Sequence, residues 1–146
     1  ASRLNEVLSV HHEVTVEAYP LFQQYPPLPL ALATMMADVA EAQRLDVLHV
    51  HYAMPFAASA FLAKKLIAPR RLPVVTTLHG TDITVVGQQP AFFRMTKFSI
   101  ESSDRITAVS QALKDATVES LRIQRPIEVI PNFVDPDIFA PKRRKA

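Results

Sequence analysis

The chain of 146 residues has room for one domain with a real core, and apolar residues make up 49% of it. It holds no cysteine, which excludes disulfides, thiolate metal sites and a cysteine nucleophile; no apolar run nears the roughly 20 residues of a membrane span, and the amino terminus shows no signal-peptide pattern. Sixteen Lys and Arg against fourteen Asp and Glu give +2, but Lys142, Arg143, Arg144 and Lys145 supply four of the positives; the remainder, twelve against fourteen, is −2 and offers no basic face to nucleic acid.

Strand-like and helix-like segments alternate. Val7 to Val16 is the first candidate strand, with Val14 and Val16 on one face. Pro20 to Pro29 is too rich in proline for regular structure. Leu28, Leu32, Met35, Met36 and Val39 recur at helical spacing, so the pattern predicts a helix over Pro29 to Leu45. Asp46 to Tyr52 reads as a second strand, apolar enough to be buried on both faces. Pro55 suits the first turn of a helix reaching Ile67. Val74 to Leu78, β-branched and free of interior glycine or proline, is the third strand. A helix over Ala91 to Ser102 and a strand over Arg105 to Val109 follow. Ser110 then caps a helix over Gln111 to Leu121, and Ile127 to Ile130 is a fifth strand stopped by Pro131. This alternation predicts an α/β fold, a Rossmann-like parallel sheet with helices on both faces.

In such a sheet ligands bind beyond the carboxyl ends of the strands. His79-Gly-Thr-Asp82 lies there, as the turn leaving the third strand. The only glycines are Gly80 and Gly87, so neither GxGxxG nor a Walker loop can be written. Thr77 and His79 share a face; an imidazole beside hydroxyls, next to a glycine, suits a polyhydroxylated ligand. The plain alternative is that His79 only caps the next helix. Asp82 reads as a turn or cap carboxylate.

Strand alternation puts His49 and His51 on one face and Val50 and Tyr52 on the other. Two such histidines could hold a metal with His79 or Asp82, but no third ligand is evident, and histidines hydrogen-bonded among loops are the commoner arrangement. Tyr52 ends its strand with a hydroxyl free for the crevice. Arg94 and Lys97 could each reach an anion; Glu101, four residues beyond Lys97, is positioned to pair with it instead.

His49-Val-His-Tyr-Ala-Met-Pro55, Thr76-Thr-Leu-His-Gly-Thr-Asp-Ile-Thr84, Phe98-Ser-Ile-Glu-Ser-Ser-Asp104, Thr107-Ala-Val-Ser110 and Val129-Ile-Pro-Asn-Phe-Val-Asp135 occur in order. This set resembles glycosyltransferase family 4, over nearly the whole chain. Tyr19-Pro-Leu-Phe22 and the proline-rich run from Tyr25 to Ala33 resemble its bacillithiol-pathway branch. The resemblance implies half of a two-domain GT-B enzyme: residues 1–141 as a partial N-terminal acceptor-binding domain and 142–146 as a basic tail or the start of an interdomain linker. It also implies that an opening strand with a GGSG turn precedes Ala1, that a C-terminal donor-binding domain follows, and that this piece alone does not transfer sugar.

The implied reaction is retaining transfer of N-acetylglucosamine from UDP-N-acetylglucosamine to L-malate, in the cytoplasm, with no metal or other cofactor. Carried over residue by residue, His79 orients the donor sugar at the reacting carbon, and Tyr52 and Thr77 bind the acceptor. Lys97 pairs with an acceptor carboxylate, with Arg94 in reserve, and Thr81 and Asn132 contribute to substrate binding. Two other readings are another family-4 transferase with a different small acceptor, and a non-catalytic α/β binding module. The second would want an acidic cluster after the first strand, which the sequence does not show.

Overall fold

The computed structural model describes residues 28–135 and residue 139; the expected strand Val7 to Val16, most of the proline-rich loop and the basic tail lie outside them. Four parallel strands run in chain order across one sheet: β1 (Leu48–His51), β2 (Val74–Leu78), β3 (Arg105–Ala108) and β4 (Glu128–Val129). Between them lie α1 (Leu28–Ala42) before β1, α2 (Ala58–Leu66), α3 (Thr81–Thr84), α4 (Pro90–Glu101) and α5 (Gln111–Leu121). The Rossmann-like parallel sheet expected from the alternation of strand and helix is therefore present.

Local chemistry accounts for most of the boundaries. Pro90 opens α4, where a missing N–H costs nothing. Ser110 caps α5, its Oγ accepting from Leu113 N at 3.1 Å. The same helix ends on Arg122 in the left-handed region, φ 52°. Strand β4 is only two residues long, because Pro126 and Pro131 close in on it.

Two apolar clusters make the core. In the first, α1 and α2 meet over small side chains: Ala37 and Ala40 of α1, Ala60 and Ala63 of α2 and Ala57 just before α2 pack with Leu48, Val50 and Val74. Such residues let helix backbones approach closely. In the second, Leu78, Ile106 and Ala108 pack with Ile100 of α4 and Leu113 and Leu121 of α5. At the amino end of the sheet, Asp104 Oδ2 accepts from Val74 N at 2.8 Å and from Lys64 Nζ at 2.6 Å, tying β2, β3 and α2 together. Although burial pushes the Asp104 carboxyl up, those two hydrogen bonds hold it below its ordinary range.

Three expectations are corrected here. Strand β1 is not buried on both faces: Leu48 and Val50 are buried, while His49 and His51 are exposed. The helix expected from Pro55 begins only at Ala58, because Met54 is extended and Ala53–Ala57 form a wide turn. Tyr52 does not continue the alternation. Its φ of 71° turns the chain out of the strand and brings its ring to 4.9 Å from that of His79, on the histidine side.

Candidate active site

The carboxyl ends of β1 and β2 are adjacent, in register with His51 opposite Thr77. Two chain exits therefore lie side by side, Tyr52-Ala53 after β1 and His79-Gly80 after β2. One side chain joins them. Asp82, 1% exposed, accepts from Ala53 N at 2.8 Å through Oδ2 and from Gly80 N at 3.0 Å and His79 N at 3.3 Å through Oδ1. A buried carboxylate that satisfies three backbone donors is a strap between loops. This is the turn role expected of it, extended to a second loop 29 residues away in sequence.

Gly80 stands at φ 124°, a conformation that L side chains rarely adopt, and its carbonyl starts α3 by accepting from Ile83 N and Thr84 N, both at 2.8 Å. Gly87 has a steric reason instead: a Cβ there would lie 2.8 Å from the Asp82 carbonyl oxygen. Both glycines of the chain thus serve the same turn.

Above the strap, four rings gather. His49 stacks on His51 with centroids 4.8 Å apart, His51 lies 4.9 Å from His79, and Tyr52 lies 4.9 Å from His79. His51 Nδ1 and His79 Nε2 share a hydrogen bond of 2.7 Å. A second line of polar groups crosses three neighbouring strands: His49 Nε2 is 2.7 Å from Thr77 Oγ1, which is 2.7 Å from Thr107 Oγ1. Burial lowers the basicity of His49 and of His51, and the neighbouring imidazoles lower it further. One nitrogen of each histidine faces another imidazole or a hydroxyl, and among the described residues no group of three or more His, Asp or Glu is placed to hold a metal.

The structure thus brings together Tyr52, Thr77 and His79 and adds His49, His51, Thr107 and Asp82. Thr77 is 8% exposed and its hydroxyl is already shared between His49 and Thr107, so it supports the site from below. Thr81 is exposed at the first position of α3, beside the glycine. Asn132 is exposed beyond β4, at the opposite side of the sheet from β1.

Lys97 is engaged by its own surroundings. Its ammonium donates to Glu101 Oε1 at 2.8 Å and to the carbonyls of Leu121 at 3.0 Å and Arg122 at 2.6 Å. These carbonyls end α5 beside the amino end of the sheet, so Lys97 caps a helix away from the crevice. The Glu101 partner was visible at four-residue spacing; the carbonyls, 24 and 25 residues away, were not. Arg94, one turn earlier on α4, is exposed and has no hydrogen-bond or ion-pair partner among the described residues.

The chain is similar to known proteins over most of its length. The family pattern described as Glycosyltransferase Family 4 matches residues 2–138. The chain is 49% identical over 139 residues to an N-acetyl-alpha-D-glucosaminyl L-malate synthase of Bacillus anthracis, covering 94% of this chain and 36% of that protein. It is 31% identical over 102 residues to an uncharacterized glycosyltransferase of Methanocaldococcus jannaschii, covering 70% of this chain and 28% of that one. The chain thus spans about a third of the length of the curated relatives it matches.

Proposed function

This chain belongs to glycosyltransferase family 4, and from that premise we propose that it forms the acceptor-side α/β domain of a retaining N-acetylglucosaminyltransferase acting on L-malate. The donor in this reading is UDP-N-acetylglucosamine, gripped by a second domain beyond these residues. Residues 1–141 make the acceptor-side unit and 142–146 begin the connection. The reading is supported by the name of the Bacillus anthracis relative and its 49% identity. It is carried by one structural observation, the joining of the Tyr52 and His79 loops by Asp82 at the carboxyl edge of the sheet.

The chemistry is the exchange of one bond for another at the anomeric carbon. The bond from that carbon to the diphosphate oxygen breaks, and a bond to the malate hydroxyl forms on the same face. The hydroxyl proton passes to the departing diphosphate. Such a reaction needs positioning and stabilised charge more than a protein base. The carboxylate in this crevice suits that scheme: Asp82 has both oxygens committed to backbone N–H groups and is shut from solvent, so it cannot take the proton. Glycoside hydrolysis would need two free carboxyl groups flanking the bond.

His79 faces the sugar near its reacting carbon, and Tyr52 lines the acceptor pocket with Thr81 beside it. Thr77 fixes the histidine side of the crevice through His49. Asn132 belongs to the turn toward the second domain. The acceptor carboxylate passes from Lys97 to Arg94, a cation of the same helix with no partner among the described residues. The test is transfer by the whole protein from UDP-N-acetylglucosamine to L-malate, with product mass and anomeric configuration read by mass spectrometry and NMR. Retained configuration, with kcat falling in His79→Ala, is expected. Turnover of other hydroxy acids but not malate, or an inverted product, would overturn the assignment.

A further inference from the structure

The His51–His79 contact restricts what His79 can offer a ligand. A 2.7 Å bond between two imidazole nitrogens holds one proton, so one ring donates and the other accepts. If His79 donates from Nε2, His51 accepts at Nδ1, and both rings are in the Nε2–H form that an isolated imidazole side chain prefers. The reverse assignment forces both rings into the less favoured tautomer. The first arrangement also matches His49, whose Nε2–H can donate to Thr77 Oγ1 while Thr77 passes its own hydroxyl proton to Thr107. A second proton on the His51–His79 pair would place two donors face to face. Stacking of His49 on His51 at 4.8 Å adds a third imidazole that disfavours charge there.

We infer that His51 is a positioning residue that holds His79 as its Nε2–H tautomer, leaving His79 Nδ1 as a lone-pair acceptor for a ligand hydroxyl. Nδ1 has no hydrogen-bond partner among the described residues. An acceptor nitrogen of this kind selects a hydroxyl donor and repels a carboxylate or phosphate oxygen. The His79 position therefore takes a sugar hydroxyl, and the anionic end of any acceptor must lie elsewhere. This inference rests on the reading of His79 as the sugar-facing residue, but the tautomer itself does not.

Two measurements separate them. Long-range ¹H–¹⁵N NMR of the imidazoles, on the whole protein without substrates, should show His79 protonated at Nε2 and bare at Nδ1. In His51→Ala the His79 signals should move toward a mixture of tautomers. His51→Asn should restore the wild-type pattern, because its amide oxygen can accept where Nδ1 did; His51→Gln, whose amide falls nearer the Nε2 position, should not. In steady-state kinetics His51→Ala should lower kcat about tenfold or more, by analogy with the loss of an orienting partner from a metal-ligating histidine. KM for the acceptor should change little, and His51→Asn should recover most of the loss. A wild-type His79 protonated at Nδ1, or kcat values for His51→Ala and His51→Asn that agree within twofold, would overturn the inference. Absence of sugar transfer by the wild-type protein would remove the functional reading, with the NMR pattern still deciding the pair.

Discussion

Replacing Asp82 by asparagine tests whether one carboxylate holds the two loops of the crevice together. The native side chain makes two short hydrogen bonds on opposite oxygens, to Ala53 N at 2.8 Å and Gly80 N at 3.0 Å, and a longer one to His79 N at 3.3 Å. Asparagine keeps one acceptor and turns an NH2 group against a backbone N–H. The bonds on that side are lost, either the one to Ala53 N or the two to Gly80 N and His79 N, and buried donors are left unpaired, together about 2–4 kcal/mol. Asp82→Ala loses both sides and should cost about 3–6 kcal/mol by the same reckoning. Against a total stability of about 5–15 kcal/mol these are large fractions.

Urea unfolding of the whole protein would read the effect as a lower midpoint at unchanged slope. Amide exchange would locate it. In the asparagine variant protection should fall at Ala53 or at Gly80, according to which way the amide turns, and in the alanine variant at both. Because the loops carry Tyr52 and His79, kcat should fall with protection. An Asp82→Asn midpoint equivalent to less than about 0.5 kcal/mol from wild type, within the range of neutral surface changes, with Ala53 and Gly80 still protected, would refute the strap.

Three further outcomes are expected. The folded-state pKa values of His49 and His51 lie below their ordinary 6.5, so as pH falls the unfolded chain takes up protons first; their contribution is full above 6.5 and is lost as pH drops through the folded values, which unfolding midpoints between pH 8 and 5 would show. Asp104, shifted down, adds a separate loss at more acid pH, absent in Asp104→Asn. Lys97→Met should lower stability by about 1 kcal/mol, since its bonds are partly exposed, and leave the KM for the proposed acceptor, malate, unchanged, whereas Arg94→Ala should raise that KM about tenfold or more by removing a charge-assisted bond; steady-state kinetics with the proposed acceptor varied decides between the two cations. Gly87→Ala should cost about 1–3 kcal/mol, because its Cβ would sit 2.8 Å from the Asp82 carbonyl oxygen, and a thermal melt unchanged from wild type would contradict that contact.

Features written in local chemistry were legible. Val74–Leu78 and Gln111–Leu121 came out with their observed limits, because β-branched residues and a serine cap act on their own neighbours. The meeting of Thr77 and His79 with the end of β1 followed from strand direction alone. What could not be read depended on contacts distant in sequence or on unusual backbone. Tyr52 at φ 71° breaks a two-residue period that nothing in its own identity contradicts. Lys97 turns to carbonyls that approach it only once α5 has packed beside α4. Asp82 announced a turn, but its second loop lies across the sheet edge, beyond any spacing rule.

The alanine contact between α1 and α2 also bears on how this chain can vary through descent. Ala37, Ala40, Ala57, Ala60 and Ala63 are at most 4% exposed within one cluster. Any heavier residue at these sites must push two helices apart, and glycine would loosen both. In a library randomised at these five positions and selected for folding, survivors should be confined to alanine, with occasional serine or glycine. Exposed α4 positions such as Phe92 and Met95 should accept many residues in the same selection. Drift would therefore run along the outside of α4, Arg94 excepted, while this inner surface stood still, and age would be recorded on one side of the domain only.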